Sequence, residues 1–313
     1  MDPVLLERRP LGMTGLSVSP LAMGGAKLGA FWQGRSPQAG QRALEEARRC
    51  GITFFDTADC YARGISERVI GRTFRSSRDD VVLATKVGLL KTPLAIASAR
   101  RGSPECRPPG LADVRALGPG AAAASCFSPA YVERAAERSL RRLGTDRVDL
   151  LLLHAPPLAV LRACRFVAVL ERLRQTGKIR HFGIACGDEE QARAALEVPG
   201  VACIFVPHNL QRPELVMAIE PEARRRGVAL VAMAPFGDGT LLRREVSGHP
   251  PEAVAQGCLQ FALATPGVAS VLVGMSVPGH VVANVRAALA APLAPAVVDA
   301  IRRSVAPPVE PGC

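Results

Sequence analysis

The chain has 313 residues, 48% apolar and 21% charged, a balance that excludes a disordered chain, which cannot bury enough apolar surface to offset the entropy of ordering, as well as a collagen-like or coiled-coil one. Basic residues number 39 against 28 acidic, a net charge of +11. The arginines are scattered, with no run longer than Arg224, Arg225 and Arg226, so a solvated basic surface is expected rather than the clustered face that nucleic-acid binding needs.

Residues 9–18, with Gly12 to Gly15 at their centre, read as a β-hairpin. Eight strand-then-helix units follow. The strands are expected at 21–23, 53–55, 81–85, 148–153, 182–185, 203–206, 228–232 and 268–273. Each is short and apolar throughout, as buried parallel strands are. The helices are expected at 37–50, 66–75, 129–142, 161–176, 188–196, 213–226, 251–264 and 278–289. Gly51 stops the first, Ser128 is placed to cap the third, and Glu189 and Glu190 suit a first turn. Residues 89–127 form a long loop after strand 3, nearly low-complexity over 118–125. A loop that long in a compact domain is functional or mobile. The pattern predicts a single α/β domain over 1–313: a (β/α)8 TIM barrel with an N-terminal hairpin. A doubly wound sheet is the alternative, but no Gly-x-Gly-x-x-Gly follows the first strand.

Nine cysteines are present, none in a Cys-x-x-Cys pair. Structural zinc and iron–sulfur sites are therefore not expected, and no metal is assigned. The odd count, in a chain too large to need staples, predicts free thiols and a cytoplasmic protein. No signal peptide and no membrane span are expected.

In such barrels chemistry sits at the C-terminal ends of strands. Reading only those positions gives Asp56 after strand 2, Tyr61 on the loop five residues on, Lys86 after strand 3 and His154 after strand 4. A free phenol, with pKa about 10, is a weak acid at neutral pH. A neighbouring ammonium is expected to lower it toward the working range, with Asp56 holding Lys86 charged. Such a pair beside an oxygen-binding histidine can protonate a carbonyl oxygen as hydride reaches its carbon. Because Asp56 is expected at a mouth open to water, replacing Lys86 by methionine should cost activity but little stability.

The run Phe54-Phe55-Asp56-Thr57-Ala58-Asp59-Cys60-Tyr61, with Gly64, Ser66, Glu67 and Gly71 after it, resembles the signature of the aldo-keto reductase superfamily. Ala84-Thr85-Lys86 and Leu151-Leu152-Leu153-His154 match its next two blocks, and the likeness runs over nearly the whole chain. Ala234-Pro235-Phe236-Gly237 and Val273-Gly274-Met275-Ser276 are most similar to bacterial members acting on sugars or small aldehydes. The resemblance implies a barrel that reduces carbonyls or oxidises alcohols of small molecules with NADP(H), NAD(H) being the alternative. It implies a catalytic set of Tyr61, Asp56, Lys86 and His154. It places the cofactor against Gly25, Ala185, Cys186, Phe205, Met233, Pro235, Gly237, Gly274, Ser276, His280 and Asn284.

Several of these positions depart from the family pattern. Gly183-Ile184-Ala185-Cys186 stands where Gly-Val-Ser-Asn is usual. Phe205 replaces a glutamine, Met233 an aromatic, His280 an arginine, Gly274 a lysine and Ala283 a glutamate, while Asn284 is retained. Each lost hydrogen bond removes about 0.5–1.5 kcal/mol of net binding. A redox-neutral acid–base enzyme (lyase, dehydratase or cyclase) is therefore the alternative activity, and a ligand-binding sensor the non-enzymatic one. Phe31, Trp32, the loop after strand 3 and the 237–239 loop are candidates to shape the substrate pocket. The sequence does not define an oligomeric state.

Overall fold

The computed structural model describes residues 6–29, 36–90, 105–107, 124–243, 246 and 248–305. The hairpin forms as expected, β1 (Arg9–Pro10) pairing antiparallel with β2 (Ser17–Val18). Eight parallel strands then close into a barrel. They are β3 (Leu21–Gly24), β4 (Phe54–Asp56), β5 (Val82–Val87), β9 (Val148–His154), β10 (Ile179–Ala185), β11 (Cys203–Pro207), β12 (Ala229–Met233) and β13 (Val268–Gly274), with β13 returning to β3. All eight expected strands are present, shifted by a few residues at most.

The wrapping helices are α1 (Pro37–Arg49), α2 (Ile65–Thr73), α3 (Pro129–Leu143), α4 (Leu158–Ala163), α5 (Val167–Gln175), α6 (Glu189–Leu196), α7 (Glu214–Arg225), α8 (Pro251–Ala264) and α9 (Pro278–Leu289). One expected helix, 161–176, is two. Cys164 ends α4 in the left-handed region at φ 51°, and a new helix starts at Val167. A glycine there would have signalled the break; a cysteine did not. A further helix, α10 (Pro295–Val305), lies beyond the eight units. Its Ile301 is fully buried with Leu210, Leu241, Val254 and Cys258, under the segment that follows β12.

Side chains alternate between two cores. Phe54, Ala84, Leu150, Leu152, Phe205 and Val231 fill the barrel interior. Their neighbours along the strands, such as Phe55, Leu83, Leu151 and Leu153, pack outward against the helices. Leu11 and Val18 of the hairpin, both fully buried, complete the inner cluster from below. Met13 N–H donates to Gly227 O at 3.0 Å and Arg9 Nη1 to Leu263 O at 3.0 Å. The hairpin thus plugs the N-terminal end of the barrel and leaves the C-terminal end for chemistry.

The structure departs from two sequence expectations. The segment after β5 is not structureless throughout, because β6 (Leu89–Leu90), β7 (Cys106–Arg107) and β8 (Ala124–Cys126) form a small antiparallel sheet in the order β6-β8-β7. Of the near low-complexity stretch, residues 118–123 lie outside the described residues. Nor are all the cysteines free. Cys106 and Cys126 stand directly opposite in the β7–β8 register, with Cα atoms 4.0 Å apart, and form a disulfide. Cross-strand pairing, not sequence spacing, brings them together. No helix of the described residues is long and apolar enough to cross a membrane.

Helices α2 and α3 meet at Gly71, where an added Cβ would stand 2.0 Å from Leu143 O. Backbone cannot yield to a methyl as a flexible side chain can. Gly71→Ala is expected to cost about 1–3 kcal/mol or more in a urea denaturation midpoint comparison, and an unchanged midpoint would contradict this close approach.

Candidate active site

The register Gly24↔Asp56, Asp56↔Ala84, Lys86↔Leu152 and Ala185↔His154 brings the strand-end residues to one mouth. Lys86 Nζ donates to Asp56 Oδ1 at 2.5 Å, to Oδ2, and to Thr57 O at 3.1 Å. It lies 3.5 Å from the Tyr61 hydroxyl. Both charged side chains are only 1% exposed. A buried charge is tolerated only when paired and hydrogen-bonded, and this ammonium has a partner for each donor. Burial pulls the Lys86 pKa down, but Asp56 and Tyr61 outweigh it and hold the ammonium above its ordinary value.

Tyr61 sits on a tight turn between β4 and α2. The Thr57 amide donates to Ala84 O at 2.9 Å and the Asp59 amide to Lys86 O at 3.0 Å, which tie the loop's start to β5. Ala62, Arg63 and Gly64 then follow one another in the left-handed region, at φ 46°, 55° and 85°. For Ala62 and Arg63 that conformation costs about 1–2 kcal/mol each. The His154 ring meets Tyr61 edge-on, with centroids 5.8 Å apart, and its Nδ1 lies 3.9 Å from Cys60 Sγ. The Asp59 carboxyl is pushed up to about 8 by burial and by Glu67, against the pull of Arg142 and Arg138. At neutral pH it is mostly protonated.

The phenol itself behaves differently from the sequence expectation. Burial raises the Tyr61 pKa to about 12, and the nearby Lys86 only partly offsets that rise. Desolvation of a phenolate outweighs one ammonium 3.5 Å away that is already committed to Asp56. Tyr61 is therefore held protonated, in the form that donates.

The expected cofactor positions surround the same mouth. Gly25 is buried after β3, its amide donating to Asp56 O at 2.7 Å, and an added Cβ would stand 2.6 Å from Ser66 Oγ. Ala185 and Cys186 are buried at the end of β10. Phe205 has no exposed surface; its ring lies 5.8 Å from Lys86 Nζ and floors the site from within the barrel. Met233, the last residue of β12, and Gly237, four residues on, are half-buried, and Pro235 between them is buried. Gly274 and His280 are exposed near β13 and α9, and Ser276 is buried between them. Phe31 and Trp32 lie outside the described residues.

Three features of this chain fit an anionic dinucleotide. Among the described residues nothing lies within 4 Å of where a Cβ would stand on Gly274 or Gly279, so these leave the approach to the N-terminus of α9 open, and such termini favour phosphate. Asn284 of α9 is 9% exposed and carries an amide that can both donate and accept. The protonated phenol and the buried ammonium stand 3.5 Å apart at the strand-end mouth.

In the sequence Ser66 and Glu67 stand only as parts of a motif, and Thr85 and Arg142 carry no signal of a role. In the structure Ser66 Oγ donates to Gly25 O at 2.8 Å and lies 2.8 Å from Thr57 Oγ1. Thr85 Oγ1 donates to Glu67 at 2.8 Å, and Arg142 Nε pairs with the other Glu67 oxygen. The only signal for this was a glutamate in the first turn of an otherwise amphipathic helix.

A parallel barrel with a protonated phenol, an ammonium–carboxylate pair and an imidazole at its C-terminal mouth has the groups that proton chemistry on a substrate oxygen requires. The profile of the aldo/keto reductase family matches residues 20–256, and the chain belongs to that family. It is 29% identical to a pyridoxal 4-dehydrogenase of Microbacterium luteolum, over 89% of this chain and 92% of that protein. It is 27% identical to an L-galactose dehydrogenase of Arabidopsis thaliana, over 90% and 88%. The holo form of aldo-keto reductase AKR11C1 from Bacillus halodurans superposes with a TM-score of 0.74 at 27% identity, over 95% of this chain and 96% of that one.

The burial of Asp56 corrects the expectation about Lys86. Water does not reach the carboxylate, so Lys86→Met leaves an uncompensated charge and is expected to cost about 3–5 kcal/mol as well as activity. Adding Asp56→Asn removes that charge and should recover part of the loss. Urea denaturation of the single and double variants checks this, and a double variant no more stable than Lys86→Met would count against it.

Proposed function

We propose that the protein transfers hydride between a nicotinamide cofactor and the carbonyl or alcohol carbon of a small molecule, with Tyr61 as the general acid and base. The observation that carries this reading is the buried Asp56–Lys86 pair with the Tyr61 hydroxyl 3.5 Å from its ammonium. A bound dinucleotide supplies or accepts the hydride. NADP(H) is favoured by family membership, with NAD(H) as the alternative. Gly274, Ser276, His280 and Asn284 would hold its phosphate and adenine end. Ala185, Cys186 and Met233 would border its nicotinamide, with Phe205 behind them.

In the reductive direction the carbonyl oxygen rests between Tyr61 and His154. As negative charge develops on that oxygen, Tyr61 donates its proton. Lys86, kept charged by Asp56, steadies the phenolate left behind. His154 orients the oxygen by a hydrogen bond. In the oxidative direction the same groups run in reverse, and Tyr61 takes the proton. Nothing in the relatives favours the redox-neutral alternative, since they are named as dehydrogenases and reductases.

Tyr61→Phe is expected to lower turnover about 100-fold or more, the usual contribution of a positioned general acid, while leaving melting temperature and NADPH affinity unchanged. Near-native turnover would remove Tyr61 from the mechanism. Because the phenol pKa is raised, the protonated donor persists as pH rises. The reductive rate assigned to Tyr61 should show no alkaline limb below about pH 10, the ordinary phenol value. With His280 and Gly274 in place of cationic side chains, the preference for NADPH over NADH should stay under about 100-fold, roughly 2.7 kcal/mol. Paired affinity measurements check this, and a larger ratio would contradict it.

A further inference from the structure

The left-handed run Ala62-Arg63-Gly64 begins immediately after Tyr61. Such backbone persists only where its surroundings over-determine it. The surroundings in question lie at the start of α2, where the fully buried Glu67 joins three elements. Its Oε1 accepts from Thr85 Oγ1, and Thr85 directly precedes Lys86 in β5. Its Oε2 pairs with Arg142 Nε of α3. The stem of Arg142 runs over Gly64, where an added Cβ would stand 2.6 Å from Arg142 Cδ. One turn on, Gly71 holds α2 against α3 by backbone contact with Leu143.

From this geometry we infer that Glu67, acting through Thr85 and Arg142, is the positioning residue that fixes the Tyr61 hydroxyl against Lys86. The inference rests on the catalytic reading of Tyr61 given above. Glu67 touches no reacting atom in this role. It locks the far end of the Tyr61 loop to the same strand that carries the ammonium, so donor and cation share one frame. With the link cut, the strained turn is free to relax and the hydroxyl to drift.

Thr85→Val tests this, since it removes one hydroxyl, keeps the volume and leaves the Glu67–Arg142 pair in place. Turnover should fall at least about tenfold, because sub-ångström misplacement of a catalytic group is costly. The Michaelis constant and the NADPH dissociation constant should stay within about twofold, since the loop does not carry the cofactor rim. Thr85→Ser restores the hydroxyl and should restore turnover. A second readout needs no activity. The chain has only two tyrosines, so isotope-labelled tyrosine NMR, with Tyr131→Phe for assignment, reports Tyr61 directly. The Tyr61 ring signal should move in Thr85→Val and return in Thr85→Ser. If Thr85→Val does not fold, Arg142→Lys, which keeps the charge but not the guanidinium, is read the same way. A folded variant with unchanged turnover, or with an unmoved Tyr61 signal, overturns the inference. If the wild-type protein binds neither NADPH nor NADH, the oxidoreductase reading fails instead, and the NMR comparison still decides the role of Glu67.

Discussion

An ammonium with almost no access to water is the constraint around which the site is organised. Lys86 is charged only because Asp56 faces it across two adjacent strands and Thr57 O takes a further donor. In a medium of low polarity neither charge is tolerable alone. The strand register cannot slip without separating them, so the chemistry and the barrel's closure at β4–β5 are one problem with one solution. The phenol is drawn into the same shielded region, which explains why burial governs its acidity and the ammonium only moderates it.

The barrel was legible in the sequence because parallel strands buried on both faces read as short apolar runs, and because most of the runs, though not 182–185 or 228–232, ended in a polar side chain or a breaker. Asp56, Lys86 and His154 were found from that rule alone. What was not legible depended on contacts distant along the chain. The break at Cys164 needs a left-handed residue that is not glycine. The Cys106–Cys126 bond needs a cross-strand register inside a segment whose composition reads as loop. The shielding of Asp56, and with it the consequence of losing Lys86, needs the packed barrel interior beneath the mouth. Phe205 shows the same limit. The sequence placed it beside the cofactor, whereas the structure shows how completely the barrel covers it.

Rigidity at the mouth is distributed unevenly. The start of the Tyr61 loop is tied by backbone amides to β5, and its end by side chains at the head of α2. Between these ties lie the strained residues. Strain held in this way is local, and it is stored next to the hydroxyl whose placement matters most. The β6-β8-β7 sheet is joined to the same strand one step later, the Cys126 amide donating to Gly88 O at 2.8 Å. Strand β5 therefore serves the loops on either side of it as a common datum.

The hairpin plug also acts electrically. With Leu11 and Val18 sealing the lower end, the volume beneath Lys86 and Asp56 is filled with hydrocarbon and does not polarise as water does. Field lines from the mouth charges spread poorly through such a medium and concentrate in the aqueous opening above. A partial charge growing on an oxygen at the rim meets the field of Lys86 and Asp56, backed by an apolar filling to which a two-stranded ribbon on the far side of the molecule contributes Leu11 and Val18. The β1–β2 hairpin is thereby part of the electrostatic environment of the reaction, although it touches none of the residues that carry it out.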